Sequence, residues 1–254
     1  MTALVTASDL TIQYPEAPSP VVQNAAFSVE TGEVFALVGP SGCGKSTILR
    51  ALAGFIPYQG RLTMAGDAIA GSNWQRGVVF QNASLYPWLT VADNIGFGLK
   101  VRGFSRDAIQ KRVTDLLETV GLSGQGEKKT FELSGGMRQR VAIARVLANE
   151  PPLMLMDEPF GALDAFTRAR MQQLVLDIWK RRDTTVFLIT HDLNEAIRCA
   201  THIAVMTASS HQITQIVPNP YQGCDPETVA DPTLEQQIDT FRRDLLKAID
   251  PTRD

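Results

Sequence analysis

An unbroken apolar run, Val34-Phe35-Ala36-Leu37-Val38, empties into Gly39-Pro40-Ser41-Gly42-Cys43-Gly44-Lys45-Ser46-Thr47, and a segment carrying Ile48, Leu49 and Leu52 at helical spacing follows. Strand, glycine-rich loop and helix in that order frame a phosphate-binding loop and commit the chain to an α/β fold. The glycines let the backbone curl until several N–H groups face one anion, and the new helix turns its positive dipole end toward the same charge. In such a loop Lys45 reaches the β and γ phosphates and the Ser46 hydroxyl is a Mg²⁺ ligand. The pattern implies a nucleoside triphosphate bound by residues 39–47.

At 254 residues, 44% hydrophobic and 20% charged, the chain has enough material for one α/β domain with an inserted subdomain. No apolar run approaches the roughly 18 residues needed to cross a bilayer, and residues 1–6 lack the charged and apolar regions of a signal peptide, so a cytoplasmic location is expected. Cys43, Cys199 and Cys224 show no ligand spacing and read as reduced thiols. A net charge of −3 and a pI near 5.7 argue against a broad basic surface, and no nucleic-acid partner is expected.

Alternation at 10–14 and 27–29 predicts antiparallel strands joined by the proline-rich stretch 15–20, and strand character returns at 61–64 and 77–80. From 82 to about 149 the pattern is mainly helical, with Ile109, Val113, Leu116, Leu117 and Val120 on one face and Gly121 as a stop. Strands are predicted again at 153–156, 186–189 and 203–206. A helix between the first two buries Phe166, Leu174, Val175, Ile178 and Trp179. Asp192 with Glu195 reads as a capping box, and Asp231-Pro232 as the start of a last helix carrying Leu234, Ile238, Phe241, Leu245 and Ile249.

Two further constellations carry chemistry. Leu153-Met154-Leu155-Met156 delivers Asp157 and Glu158 at the carboxyl end of a strand, where open α/β sheets bind ligands. Asp157 is expected to hold Mg²⁺, and Glu158 to orient or deprotonate the water that attacks the γ-phosphorus. Ser134-Gly135-Gly136 stands before the helix-forming stretch 137–148, which implies a second set of anion-binding amides.

Together these residues make the chain resemble the nucleotide-binding subunit of an ABC transporter, up to about Val217. Met137 departs from the glutamine common in the family and leaves the backbone donors intact. The resemblance implies a P-loop NTPase core with an N-terminal antiparallel β-subdomain and an inserted α-helical subdomain at about 82–149, the ATPase domain spanning 1–217 and a tail 218–254. It implies ATP and Mg²⁺, and a head-to-tail dimer in which Ser134, Gly135 and Gly136 of one subunit meet the ATP held by the other. By the same resemblance Tyr14 stacks on adenine, Gln81 touches Mg²⁺ and the attacking water, Asp164 of Gly161-Ala162-Leu163-Asp164 communicates across the dimer, and His191 lies near the γ-phosphate. His202 and His211 match no family position and read as structural.

The family couples hydrolysis to permease subunits and a periplasmic solute-binding protein, which implies a peripheral place on the cytoplasmic face of the inner membrane. Residues 82–94, with Tyr86, Pro87 and Trp88, are expected to receive a cytoplasmic helix of the permease; the alternative is that Trp88 seals the helical subdomain's own core. The wording at 55–59, 76–82, 86–88 and 160–168 resembles the ATPases of taurine, alkanesulfonate and nitrate importers, taurine first. A soluble ABC ATPase acting on nucleic acid or ribosomes is the rival; the single nucleotide-binding unit and slight acidity disfavour it. Cys43, inside the loop, is expected to be alkylated in competition with ATP.

Overall fold

The computed structural model describes residues 3–161, 163–182 and 184–250, without the side chains of 181 and 182. The chain forms two units, one of residues up to Asn73 with those from Leu176 onward, the other Trp74–Val175.

The first unit opens with β1 (Ala3–Ile12), β2 (Val22–Glu30), β3 (Val34–Val38), α1 (Lys45–Leu52), β4 (Gln59–Met64) and β5 (Asp67–Ala68). An antiparallel sheet runs in the order β2-β1-β4-β5. β1 starts seven residues before the predicted strand, and Tyr14 lies beyond its end. Its register shifts between Ala7 and Leu10, where Asp9 adopts φ 53°, and this irregularity interrupts the alternation that marks a strand in sequence. In α1 the expected face is realised, with Ile48, Leu49 and Leu52 at 0% exposure.

The second unit holds β6 (Arg76–Val79), α2 (Val91–Val101), α3 (Arg106–Thr119), a short 3-10 turn at Thr130–Glu132, α4 (Gly135–Ala148), β7 (Leu153–Asp157) and the start of α5 (Ala165–Arg182). β6 and β7 are parallel, Val79 opposite Met156. Val113, Leu116, Leu117 and Val120 are buried and Ile109 half-buried, and Gly121 at φ 65° follows the end of α3. Phe166, expected to be buried, is 72% exposed. It lies nine residues before the buried Val175, about half a turn round at roughly 100° per residue, so it points to the opposite face of α5.

The first unit resumes with β8 (Thr185–Thr190), α6 (Leu193–Cys199), β9 (His202–Met206), β10 (Ile213–Pro218) and α7 (Pro232–Ile249). β3 lies between β8 and β9, parallel to both, and β10 adds an antiparallel edge to β9 that sequence reading did not find. β3 and β8 are buried at every position, as strands covered on both faces must be. Phe27 of β2, Phe35 of β3 and Phe187 of β8 meet with ring centroids 5.5–5.9 Å apart, which packs the antiparallel sheet onto the parallel one. Asp231 caps α7 by accepting from Thr233 N–H (2.9 Å), and Ile238 and Leu245 are its buried residues.

Phe187→Ala removes one of three mutually contacting rings and leaves a cavity, so it should cost about 3–5 kcal/mol. A urea midpoint close to that of the unsubstituted chain would show that these rings carry little stability.

Candidate functional site

In the first unit the phosphate loop leaves β3 between two parallel neighbours. Close packing fixes its shape from behind: a Cβ on Gly39 would stand 2.2 Å from the Met206 carbonyl oxygen. Gly44, at φ 116°, is the N-cap of α1 and supplies no side-chain cap, so the positive dipole end of that helix lies at the loop with no capping side chain over it. Lys45 is 5% exposed, and its Nζ donates to Gly39 O (2.8 Å) and Pro40 O (3.0 Å). A buried ammonium that donates only to neutral carbonyls gains more by donating to a negatively charged oxygen. Thr47 is buried, with its hydroxyl 3.4 Å from the Tyr14 hydroxyl, and Ser46 is half-buried beside it. Tyr14 also accepts from Arg50 Nη1 at 3.5 Å, which ties the hydroxyl of this half-buried residue to the last turn of α1.

His191 follows β8, and because Val38 pairs with Thr190 it leaves the sheet alongside Gly39. The expected capping box takes another form. Asp192 accepts from Asn194 and Glu195 N–H, while the buried Glu195 carboxylate receives the Thr190 hydroxyl at 2.6 Å and Asp192 N–H donates to the same hydroxyl. Thr190, the last residue of β8, thereby ties the strand end to the start of α6.

In the second unit Asp157 ends β7 and Glu158 follows at φ 45°, a left-handed conformation uncommon for a residue with a Cβ. Gln81, two residues beyond β6, donates from Nε2 to Glu158 Oε2 at 3.5 Å, so the structure brings together the glutamine and the proposed base. Gln139 of α4, 3% exposed, donates to Phe80 O at 3.2 Å and fixes the backbone entering Gln81. Ser134 caps α4 by accepting from Met137 N–H at 3.3 Å, and the exposed Ser134-Gly135 turn has no acid in the following helical turn. Asp164 accepts from Thr167 N–H at 3.0 Å, and this hydrogen bond first of all holds its carboxyl below the ordinary range. Ala162 of the same segment lies outside the described residues.

Residues 82–90 are irregular but tightly held. Asn94, fully buried in α2, receives Tyr86 N–H (2.8 Å) and donates to Tyr86 O (3.1 Å) and Thr90 O (2.9 Å). Arg145 of α4 donates to Ser84 O and Ala83 O. Trp88 is 69% exposed, so it does not seal a core. Next to it Tyr86, Phe97, Trp74 and Val101 line a groove of about 320 Å³ edged by Arg102 and Arg145. Sequence reading missed Asn94, Gln139 and Arg145; the signal for Asn94 was a polar residue on the stripe of Val91, Ile95 and Leu99.

Cys43 corrects an expectation. Its side chain is 0% exposed and turned into the core, and burial raises the thiol pKa against the opposing charge of Lys45. Cys199 is also buried, its thiol pushed up to about 12 by burial and by Glu195, whereas Cys224 is partly exposed. A small maleimide should therefore label Cys224 and spare Cys43 and Cys199 with or without ATP, as read from the masses of digested peptides. A Cys43 adduct suppressed by ATP would return that thiol to the pocket.

The family profile described as "ABC transporter" matches residues 22–161. The taurine import ATP-binding protein TauB of Escherichia coli O157:H7 is 46% identical over 200 residues, 78% of each chain. The aliphatic sulfonates import ATP-binding protein SsuB of Bacillus licheniformis is 46% identical over 199 residues, 78% of this chain and 77% of its own. Among solved structures, the dimeric post-hydrolysis state of the ATP-binding cassette MJ0796 bound to ADP and Pi superposes with a TM-score of 0.75 at 28% identity, covering 84% of this chain and 98% of its own. CbiO1 of Clostridium perfringens, part of an ABC transporter complex, gives 0.80 at 25% identity over 96% and 98%. A glycine-bent loop at the end of a buried parallel strand, a strand-end acid pair and these likenesses lead to one conclusion: the chain belongs to the ABC transporter family and has its ATPase cassette fold.

Proposed function

We propose that this chain is the ATP-hydrolysing subunit of an importer carrying taurine or a closely related sulfonate, docked on the cytoplasmic face of its permease in the inner membrane. The observation that carries the enzymatic part is the loop itself, an uncapped helix start beside a buried lysine that is satisfied by two carbonyls. The solute class is supported by the import ATP-binding relatives, since the solute itself meets the permease and a periplasmic binding protein. Among the described residues no helix is long and apolar enough to cross a membrane.

Backbone N–H groups of residues 39–47 bind the triphosphate, Lys45 exchanges its carbonyl partners for β and γ oxygens, and Tyr14 stacks on adenine. The Ser46 hydroxyl, Asp157 carboxylate and Gln81 amide are oxygen ligands that suit Mg²⁺. Among the described residues no three His, Cys, Asp or Glu side chains form a metal cage. Mg²⁺ when bound offsets the charge that develops on the phosphoryl oxygens. Glu158 takes the proton of the attacking water, Gln81 steadies that carboxylate, and His191 hydrogen-bonds the γ-phosphate.

A second copy of the chain presents Ser134, Gly135 and Gly136 to the same ATP, and Asp164 carries contact between the copies. The exposure of the Ser134-Gly135 turn and the lack of an acid in the first turn of α4 support this role. The aromatic groove beside Trp88 receives an amphipathic helix of the permease.

Glu158→Gln should bind ATP normally and lower turnover by about 10²-fold or more, measured as phosphate release. Near-normal turnover would remove Glu158 from the role of base. Lys45→Ala should instead weaken ATP binding itself by about 1.5–3 kcal/mol, the worth of a hydrogen bond to a charged group, measured by calorimetric titration. Unchanged affinity would take Lys45 out of the phosphate site.

A further inference from the structure

The back of the phosphate loop rests on the turn between β9 and β10, which the family assignment leaves without a role. His211 sits in that turn at φ 53°, with its ring Nδ1 3.2 Å from the Cys43 carbonyl oxygen. Its own carbonyl accepts from Gln23 N–H of β2 at 3.0 Å. A hydrogen bond between the Thr207 and Ser210 hydroxyls (2.7 Å) closes the turn. Met206, at the end of β9, backs the same loop, for a Cβ on Gly44 would come within 2.9 Å of its Cε. The imidazole is therefore anchored from two strands and aimed at one peptide of the loop.

A carbonyl oxygen only accepts, so Nδ1 of His211 carries the hydrogen in this contact. In a trans peptide the C=O of one residue and the N–H of the next point in opposite directions. Holding the Cys43 oxygen against the back of the loop turns the Gly44 N–H to the other side. Gly44 is the N-cap of α1, and its φ of 116° is a conformation that glycine reaches without strain, so the orientation of that peptide is set by what it contacts. We propose that His211 is a positioning residue for ATP binding, which fixes the Cys43–Gly44 peptide so that the Gly44 N–H faces the phosphates. The proposal rests on the assignment of residues 39–47 as the ATP site.

The test compares His211→Gly, which keeps the left-handed turn and deletes the donor, with His211→Asn. Asn tolerates positive φ and carries an amide nitrogen two bonds from Cβ, as Nδ1 is. Calorimetric titration of the full chain with ATP gives Kd, and steady-state hydrolysis gives KM and kcat. His211→Gly should raise Kd and KM about 3- to 10-fold, the loss of one hydrogen bond, and leave kcat within about twofold, while His211→Asn stays within about twofold of the unsubstituted chain. If His211→Gly binds ATP at full strength while Lys45→Ala does not, the proposal fails and the ATP site stands. Binding by His211→Asn as weak as by His211→Gly, or a fall in kcat at constant KM, also overturns it. If the unsubstituted chain binds no ATP, the site assignment falls and the proposal with it.

Discussion

The first unit is organised around positive potential gathered at the end of a buried strand. β3 is buried on both faces and paired on both edges, so its backbone is fully used until Val38. Beyond that residue the chain bends through glycines into a helix whose positive dipole end lies at the loop, and Gly44 brings no side chain to cap it. Lys45 adds a buried positive charge to the same few ångströms. Desolvating an ammonium is costly, and hydrogen bonds to two carbonyls offset that cost only in part. An anion at this point meets the helix dipole and the ammonium together, so the folded chain places two sources of positive potential side by side.

The second unit relies on side chains to hold backbone that lies outside regular structure. The helix α4 links three places within that unit. Ser134 caps its start, Gln139 in its second turn fixes the carbonyl before Gln81, and Arg145 in its last turn holds the backbone at 83–84 beside the aromatic groove. Fourteen residues of helix span about 21 Å, so the three contacts lie along one continuous hydrogen-bonded element.

The parts of this arrangement that were legible in the sequence are those where one residue type answers one backbone demand. The phosphate loop, the acid pair after an apolar strand, the Ser-Gly-Gly helix start and the Asp-Pro start of α7 are of that kind. What escaped depends on direction and on partners far away in the chain. The thiol of Cys43 sits in a polar motif yet turns inward, because loop side-chain direction is set by what lies beneath. Phe166 was read onto the wrong face of α5, since the helical period carried back from Val175 places it half a turn away and its apolar type alone does not make it part of the buried stripe. Glu195 has the spacing of a capping box, but its carboxylate is bonded by Thr190, a donor that the strand end supplies. β10 was missed because an exposed edge strand lacks the buried face that makes alternation visible.

The tail shows why a segment can be integral to a fold and still lack a readable signature. The last turn of α6 leaves carbonyls without helical partners, and residues just after β10 supply them: Asn219 Nδ2 donates to Ile197 O and Ala200 O at 2.7 Å, Gln222 Nε2 to Cys199 O at 2.9 Å, and Gly223 N–H to Arg198 O at 2.8 Å. Arg198 is paired with Asp225, and α7 then adds Ile238 and Leu245 to the core. Only a few positions in this stretch have a defined chemical task, while the rest have merely to span the distance between them. Constraint so sparse leaves composition and periodicity almost untouched. The same contacts hold the carboxyl end of α6, the helix whose start Thr190 and Asp192 tie to β8 directly after His191, so the tail belongs mechanically to the unit that carries the phosphate loop.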